Sequence, residues 1–315
     1  MKSFFFKFVR YTGLCGVLMS VLTAPRSVWA AQAEQFPTPE AAVKALTAAT
    51  LAKDTNALDT IFGPESRALV SADPVQASNR FALFVKRLSE IVNLNRESGD
   101  KIALDIGNDA WPFPIPLVRH DGHWSFDTAA GREEILNRRI GMNELGAIAV
   151  CRAYLEAQRE YAGKDRLGDG VLQYAQYLRS NPGKHDGLYW RAGAGEEISP
   201  FGPLIAAAHG EGYRHDTKIM TSAQKPYHGY YFKILTRQGR HAAGGKYSYI
   251  INGRMIAGFA LVAWPAQWDN SGIMTFIVNQ QGKIFERNLG PKTAKIAGAM
   301  TAFDPDPAWQ LTREP

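Results

Sequence analysis

The spacing of apolar and polar positions changes period several times along this chain. Near its start the period is helical. Ala41, Ala42, Ala45, Leu46 and Ala49 recur at three- and four-residue steps behind Thr38-Pro39-Glu40, which supply a cap, a first-position proline and an acidic first turn. A short helix over 56–62 stops at Gly63-Pro64. A third helix opens near Asp73-Pro74 and carries Phe81, Phe84, Val85, Leu88 and Ile91 on one face. The period then falls to two. "KIALDIG" reads as a strand, and "WPFPIPLVRHDGHWSFD" reads as a hairpin turning at Asp121-Gly122, with Leu117 and Val118 on one arm and Trp124 and Phe126 on the other. Helical spacing returns over 129–140, where Arg132, Glu133, Glu134, Arg138 and Arg139 mark a solvated face, and Gly141 is expected to break the helix. The longest helix follows over 142–162. Leu145, Ile148, Cys151 and Leu155 form its apolar stripe, widened by Val150, Tyr154 and Tyr161, while Glu144, Arg152, Glu156, Arg159 and Glu160 mark the wet side. Ser199-Pro200 opens a short helical segment. From Tyr227 to Leu289 the period is two again: Asn252-Gly253 and Gln281-Gly282 each sit between β-type runs and signal hairpins of an antiparallel meander.

This order predicts an α+β fold in two parts. Residues 31–130, helices followed by a curved antiparallel sheet, follow the order of the nuclear-transport-factor-2-like or cystatin-like fold and resemble it at the level of pattern. Residues 131–315 predict a long helix packed on an antiparallel β-meander. Residues 1–30 stand apart: Lys2, Lys7 and Arg10 precede fourteen uncharged, mostly apolar residues (Tyr11–Ala24), and Val28-Trp29-Ala30 ends in the small-x-small manner of a cleavage site. The expectation is a cleaved signal peptide and a periplasmic or secreted chain, with no integral membrane segment remaining.

Charge narrows the function classes. The formal net charge of +6 falls to +2 once the four basic residues of 1–30 are removed, which excludes a generally basic nucleic-acid binder. The stretch 226–297 is nonetheless positive, with nine Lys or Arg against Asp269 and Glu286. A face of that kind suits an anionic or glycan polymer of the envelope, or equally a solvated surface. Cys151 is the one cysteine after the signal, so no intramolecular disulfide is expected.

The chemistry-bearing residues are few. There is no Gly-x-Ser-x-Gly elbow, no His-Glu-x-x-His and no phosphate loop, and no cofactor is expected. Asp165, Asp169 and Gly170 fall on positions one, five and six of a calcium-loop pattern, but Leu167 and Gln176 occupy positions three and twelve, where oxygen ligands are needed. His120, Asp121 and His123 lie on a hairpin tip, so a metal site is not expected there. The candidate ligand-binding set is His185, Asp186, Tyr189, Trp190, His228, Tyr230, Trp264 and Trp268: two histidines with a neighbouring carboxylate, and aromatics suited to glycan or peptide contact.

Several segments carry a resemblance. "NELGAIAVCRAYLEAQREYA", "DGVLQYAQ", "GKHDGLYW", "SPFGPL", "YHGYYFKIL", "NGRMIAGFALVAWPA", "SGIMTFIVNQQGKIFERNLGP" and "AFDPD" are similar to domain-of-unknown-function family 2950, exported proteins of bacterial envelopes, over nearly the whole mature chain. That resemblance implies export but no activity. The long helix, the "GYYF" strand and the Gly-rich meander are also similar to the soluble heads of type IV pilins and pseudopilins, although no prepilin leader precedes the helix. Three functions are weighed. The favoured one is a non-catalytic envelope module binding a protein or polymer. The second is a small-ligand protein with a cavity lined by Phe81, Phe84, Val118 and Trp124. The third is a hydrolase of envelope material, which requires His185, Asp186 or His228 to meet a second titratable group.

Overall fold

The computed structural model describes residues 33–71, 73–213 and 226–313. The expected signal peptide lies outside them. The fold is α+β. Helix α1 (Pro39–Leu51) starts where the Thr38 hydroxyl accepts the Ala41 N–H at 3.1 Å. Helix α2 (Thr55–Phe62) is capped by Asp54 and runs into a 3-10 stretch, Gly63–Leu69. In α3 (Pro74–Glu90) the Asp73 carboxylate accepts the N–H groups of Val75 and Gln76 at 3.0 and 3.2 Å, satisfying two of the donors every helix start leaves open.

Strands β1 (Val92–Arg96), β2 (Lys101–Ile106), β3 (Trp111–His120) and β4 (His123–Phe126) form an antiparallel meander in that order. The alternation of β2 turns Ile102, Leu104 and Ile106 inward, where they join Leu46, Phe62, Leu88, Ile115, Leu117 and Phe126 in one buried cluster. Burying each such side chain contributes roughly 1.5–3 kcal/mol. Ile91 is an exception to the expected α3 face, because it ends the helix and is exposed.

The expected break at Gly141 does not occur. Helix α4 (Thr128–Ala162) runs unbroken for 35 residues, about 50 Å at 1.5 Å per residue. A side chain at Gly141 would meet nothing within 4 Å, so this glycine faces open space and costs the helix only its intrinsic propensity. Gly131 is different: a Cβ there would lie 2.4 Å from Ile115, and its absence lets α4 approach β3.

The second half begins with β5 (Tyr177–Arg179) and β6 (Gly187–Tyr189), a small parallel pair, and α5 (Gly202–Gly210), which starts later than the expected Ser199. Then come β7 (Tyr230–Leu235), β8 (Arg237–Gln238), β9 (Tyr247–Ser248), β10 (Ile250–Ile251), β11 (Arg254–Met255), β12 (Ala260–Pro265), β13 (Met274–Asn279) and β14 (Ile284–Asn288). Helix α6 (Thr293–Ala299), β15 (Ala302–Phe303) and β16 (Gln310–Leu311) complete the chain. The main sheet is antiparallel with order β16-β14-β13-β12-β7. The Gln281-Gly282 hairpin joins β13 to β14 as expected. The Asn252-Gly253 turn, with φ of 48° and 80°, joins only the short pair β10–β11, which stands outside that sheet. All six residues of β12 are buried, and both α4 and α6 contact it.

Helix α4 covers this sheet with Ala147, Ile148, Val150, Cys151, Tyr154, Leu155 and Tyr161. Two expectations for it are corrected. Leu145 is 54% exposed rather than part of the stripe. Glu144 is half-buried, and its Oε1 accepts the N–H groups of Ile273 and Met274 at 2.9 Å each. Polar groups inside the layer are matched: Gln158 donates to Tyr154 Oη and the Ala175 carbonyl and accepts the Ala175 N–H, while Tyr154 donates to the Ala260 carbonyl at 3.0 Å. Among the described residues no helix is long and apolar enough to cross a membrane.

Candidate functional site

The sequence-chosen residues fall in three places. At the C-terminal end of α4, His185 lies flat on Trp190, with ring centroids 4.3 Å apart and planes at 22°. Trp190 is buried and donates its indole N–H to the Glu197 carbonyl at 3.0 Å. The Arg166 guanidinium stands over both Tyr161 and Trp190 and pairs with Glu197. Asp186 does not orient His185. Its two oxygens accept from the backbone and side chain of Asn181 at 2.8 and 2.7 Å, closing the turn between β5 and β6. Tyr189 is half-buried against the core.

The second place is the main sheet. Tyr230 is fully buried and donates to the Met274 carbonyl at 2.9 Å, Trp264 is buried beside Tyr231, and Trp268 is half-exposed with its N–H on Asn288 Oδ1 at 2.9 Å. The positive stretch 226–297 is partly neutralised by carboxylates outside it: Asp169 holds Arg254 at 2.9 Å and Asp306 holds Arg287 at 3.3 Å. Asp165 closes its own loop by accepting the N–H groups of Gly168, Asp169 and Gly170. Among the described residues no three His, Cys, Asp or Glu side chains cluster as metal ligands would.

The third place is a seam where α3, the middle of α4 and the segments at 211–213 and 227–230 meet. Tyr227 and Tyr230 exchange both backbone hydrogen bonds around His228-Gly229, a two-residue turn with φ of 48° and 73°. The turn holds the His228 ring out, and its Nε2 lies 2.6 Å from Glu211 Oε2. Tyr213 stacks on the ring at 5.8 Å and Tyr227 lies against it at 4.3 Å. Gly146 of α4 makes room, since a Cβ there would come within 3.4 Å of His228 Nδ1. His185 and His228 are not brought together. The first sits by Tyr161 and the second by Gly146, 15 residues apart on one helix, or about 22 Å.

Behind the histidine the seam is polar and buried. The Tyr213 hydroxyl donates to Asp73 Oδ2 at 2.7 Å, and burial together with that carboxylate pushes the phenol well above its usual range. Burial and then the Glu211 charge push Tyr227 up to about 12. Gln76 donates to Asn143 Oδ1 at 2.6 Å, and Asn143 donates to the Ser271 carbonyl at 2.8 Å. Arg139, expected on a solvated face, is 2% exposed, donating to Asn270 Oδ1 at 2.6 Å and to the Leu69 carbonyl at 2.7 Å. Burial depresses the pKa of both Arg80 and Arg139, and in Arg139 the neighbouring Arg80 charge adds to it. The sequence reading missed Asp73, Arg80, Arg139, Asn143, Glu211 and Tyr213 as site residues. One signal was present: stepping back along the buried face of α4 from Tyr161 through Gln158, Tyr154, Val150 and Ala147 leads to Asn143 and Arg139.

The chain is thus an α+β protein with two buried cores joined by one helix and a polar seam between them. It belongs to the family described as "Protein of unknown function (DUF2950)", whose model matches residues 33–312. No curated protein and no solved structure matches it.

Proposed function

We propose that the protein is an exported, non-catalytic recognition module of the cell envelope, and that the seam around His228 is its binding surface for an envelope protein or a glycan or anionic polymer. Export rests on the charged and apolar pattern of residues 1–30. The observation that carries the recognition reading is the His228 turn itself. It presents a half-exposed imidazole–carboxylate pair walled by two tyrosines, a surface that is aromatic on its sides and hydrogen-bonding at its centre. The described neighbours of His228 are Glu211, Tyr213 and Tyr227; the Tyr213 hydroxyl is held by Asp73, and no serine, threonine or cysteine stands among these neighbours. The Cys151 thiol is sealed in the core, where burial pushes it up to about 12.

A hydrolase is the second reading, favoured by one contact: an imidazole held 2.6 Å from a carboxylate has the orientation a general base needs. One experiment separates the two. Intact envelopes are probed with the mature chain and with His228→Ala, and bound partners and hydrolysis products are both quantified. The recognition reading expects capture to fall about tenfold, the loss of one well-placed polar-aromatic contact, with no product from either chain. Equal capture by both chains removes the seam as the binding face. Product released by the wild type alone replaces recognition with hydrolysis.

A further inference from the structure

Gln76 and Arg80 are four residues apart on α3, and Arg139 and Asn143 are four apart on α4, so each pair stands on one helix face a turn apart. Gln76 and Asn143 are joined at 2.6 Å. At the next rung, one turn away on each helix, Arg80 lies near enough to Arg139 for the charge of the first to act on the second. This rung lacks its counter-charge. Among the described residues neither guanidinium forms an ion pair with a carboxylate. Asp73, whose charge reaches Arg80, is already used: Oδ1 caps α3 and Oδ2 takes the Tyr213 hydroxyl. Among the described residues two buried nitrogens, Arg80 Nη2 and Arg139 Nε, have no hydrogen-bond partner. Facing cations withdrawn from water repel, and buried N–H donors left unmet are costly, so a native structure that keeps both implies something that answers them.

We propose that the Arg80–Arg139 rung is an oxyanion site, taking a phosphoryl or carboxylate group whose oxygens accept from Arg80 Nη2 and Arg139 Nε. Each guanidinium offers one unmet N–H to such a group, the other two Arg139 nitrogens being held by Asn270 and Leu69, and with Asp73 nearby the rung keeps one unit of uncompensated positive charge. This deepens the seam reading by naming the chemical group its ligand carries. The test stands apart from that reading because it uses free anions.

Thermal unfolding of the mature chain is measured in phosphate, in acetate and in chloride at equal ionic strength. The wild type is expected to gain a saturable rise in Tm over chloride, about 5 °C at a hundredfold excess over Kd. A rise in phosphate alone assigns a phosphoryl ligand, and a rise in acetate assigns a carboxylate. Arg80→Gln is expected to abolish the rise while unfolding in chloride no lower than the wild type, because it removes one of two facing charges. A wild type that does not distinguish the anions overturns the proposal. So does a rise retained in Arg80→Gln, or an Arg80→Gln chain that melts well below the wild type in chloride, which would mark Arg80 as a structural strut. If Arg80→Gln loses the anion response yet captures envelope partners as before, the oxyanion site stands and the seam as docking surface falls.

Discussion

Glu286, on β14, carries a carboxyl held above the usual range by burial, with the Glu144 charge adding to it and Arg313 opposing. A carboxyl raised in the folded state holds its proton more tightly there, so its contribution is most favourable at low pH. That contribution is lost as pH rises from the ordinary carboxylate value through the raised folded one. Glu286→Gln should therefore stabilise the chain at pH 7 and have no effect near pH 3.5. The gain should be only about 0.3–0.5 kcal/mol, because the side chain is no more than half-buried and water screens its charge. Urea midpoints at the two pH values check this, and a loss of stability at pH 7 would contradict it. Single charged residues were the least legible feature of the sequence. Glu144 has the spacing of a wet position, yet a side chain of its length reaches the backbone at 273–274 from the edge of the buried face. Arg139 sits among charged neighbours, and only the helical phase of residues twenty positions later shows that it points inward. The His228–Glu211 contact links residues 17 apart through an irregular segment, where no periodicity exists to read.

At the scale of elements the continuity of α4 makes a sharp prediction. Gly141 lies in mid-helix facing open space, so Gly141→Ala should add about 0.5–1 kcal/mol by removing glycine's entropy cost. Gly131→Ala should do the opposite, costing about 1–3 kcal/mol, because its Cβ would come 2.4 Å from Ile115 in the β3 layer. Denaturant midpoints of the two variants test both signs. A neutral or destabilising Gly141→Ala would mean the helix is interrupted there in solution. The sequence exposed elements wherever one period was sustained: α1, α3, β2, the β3–β4 hairpin and the β13–β14 hairpin were all readable. It hid β1, whose "VNLNR" alternation offers only Val92 and Leu94 as apolar positions. It also hid β8 and β9, because a two-residue strand is too short to show a period at all, and β10–β11 was betrayed only by its Asn252-Gly253 turn. The glycine at 141 misled because propensity is a local quantity, while packing on either side of it holds the helix together.

For the molecule as a whole the question is what makes two cores behave as one. The cluster built on β2–β4 and the cluster built on β12–β14 share no buried residue. Helix α4 packs on both, with Ile135 against the first and Ala147 to Tyr161 in the second. Across the seam the polar ties include Asp73 to Tyr213, Gln76 to Asn143, Asn79 to the Glu211 carbonyl and Arg139 to Asn270, each joining residues at least 67 positions apart. Such ties contribute on the order of 1 kcal/mol each, small beside either core, so the rigid helix should carry most of the coupling. Gly141→Pro tests that division. Proline in mid-helix removes a backbone hydrogen bond and clashes with the preceding turn, costing roughly 3 kcal/mol, and at position 141 it does so between the two cores with no packed neighbour to disturb. The wild type is expected to unfold in one calorimetric transition and Gly141→Pro in two, each core melting by itself. A single transition in Gly141→Pro, merely shifted down, would mean that the seam contacts alone bind the halves, and that the helix is their connection but not their coupling.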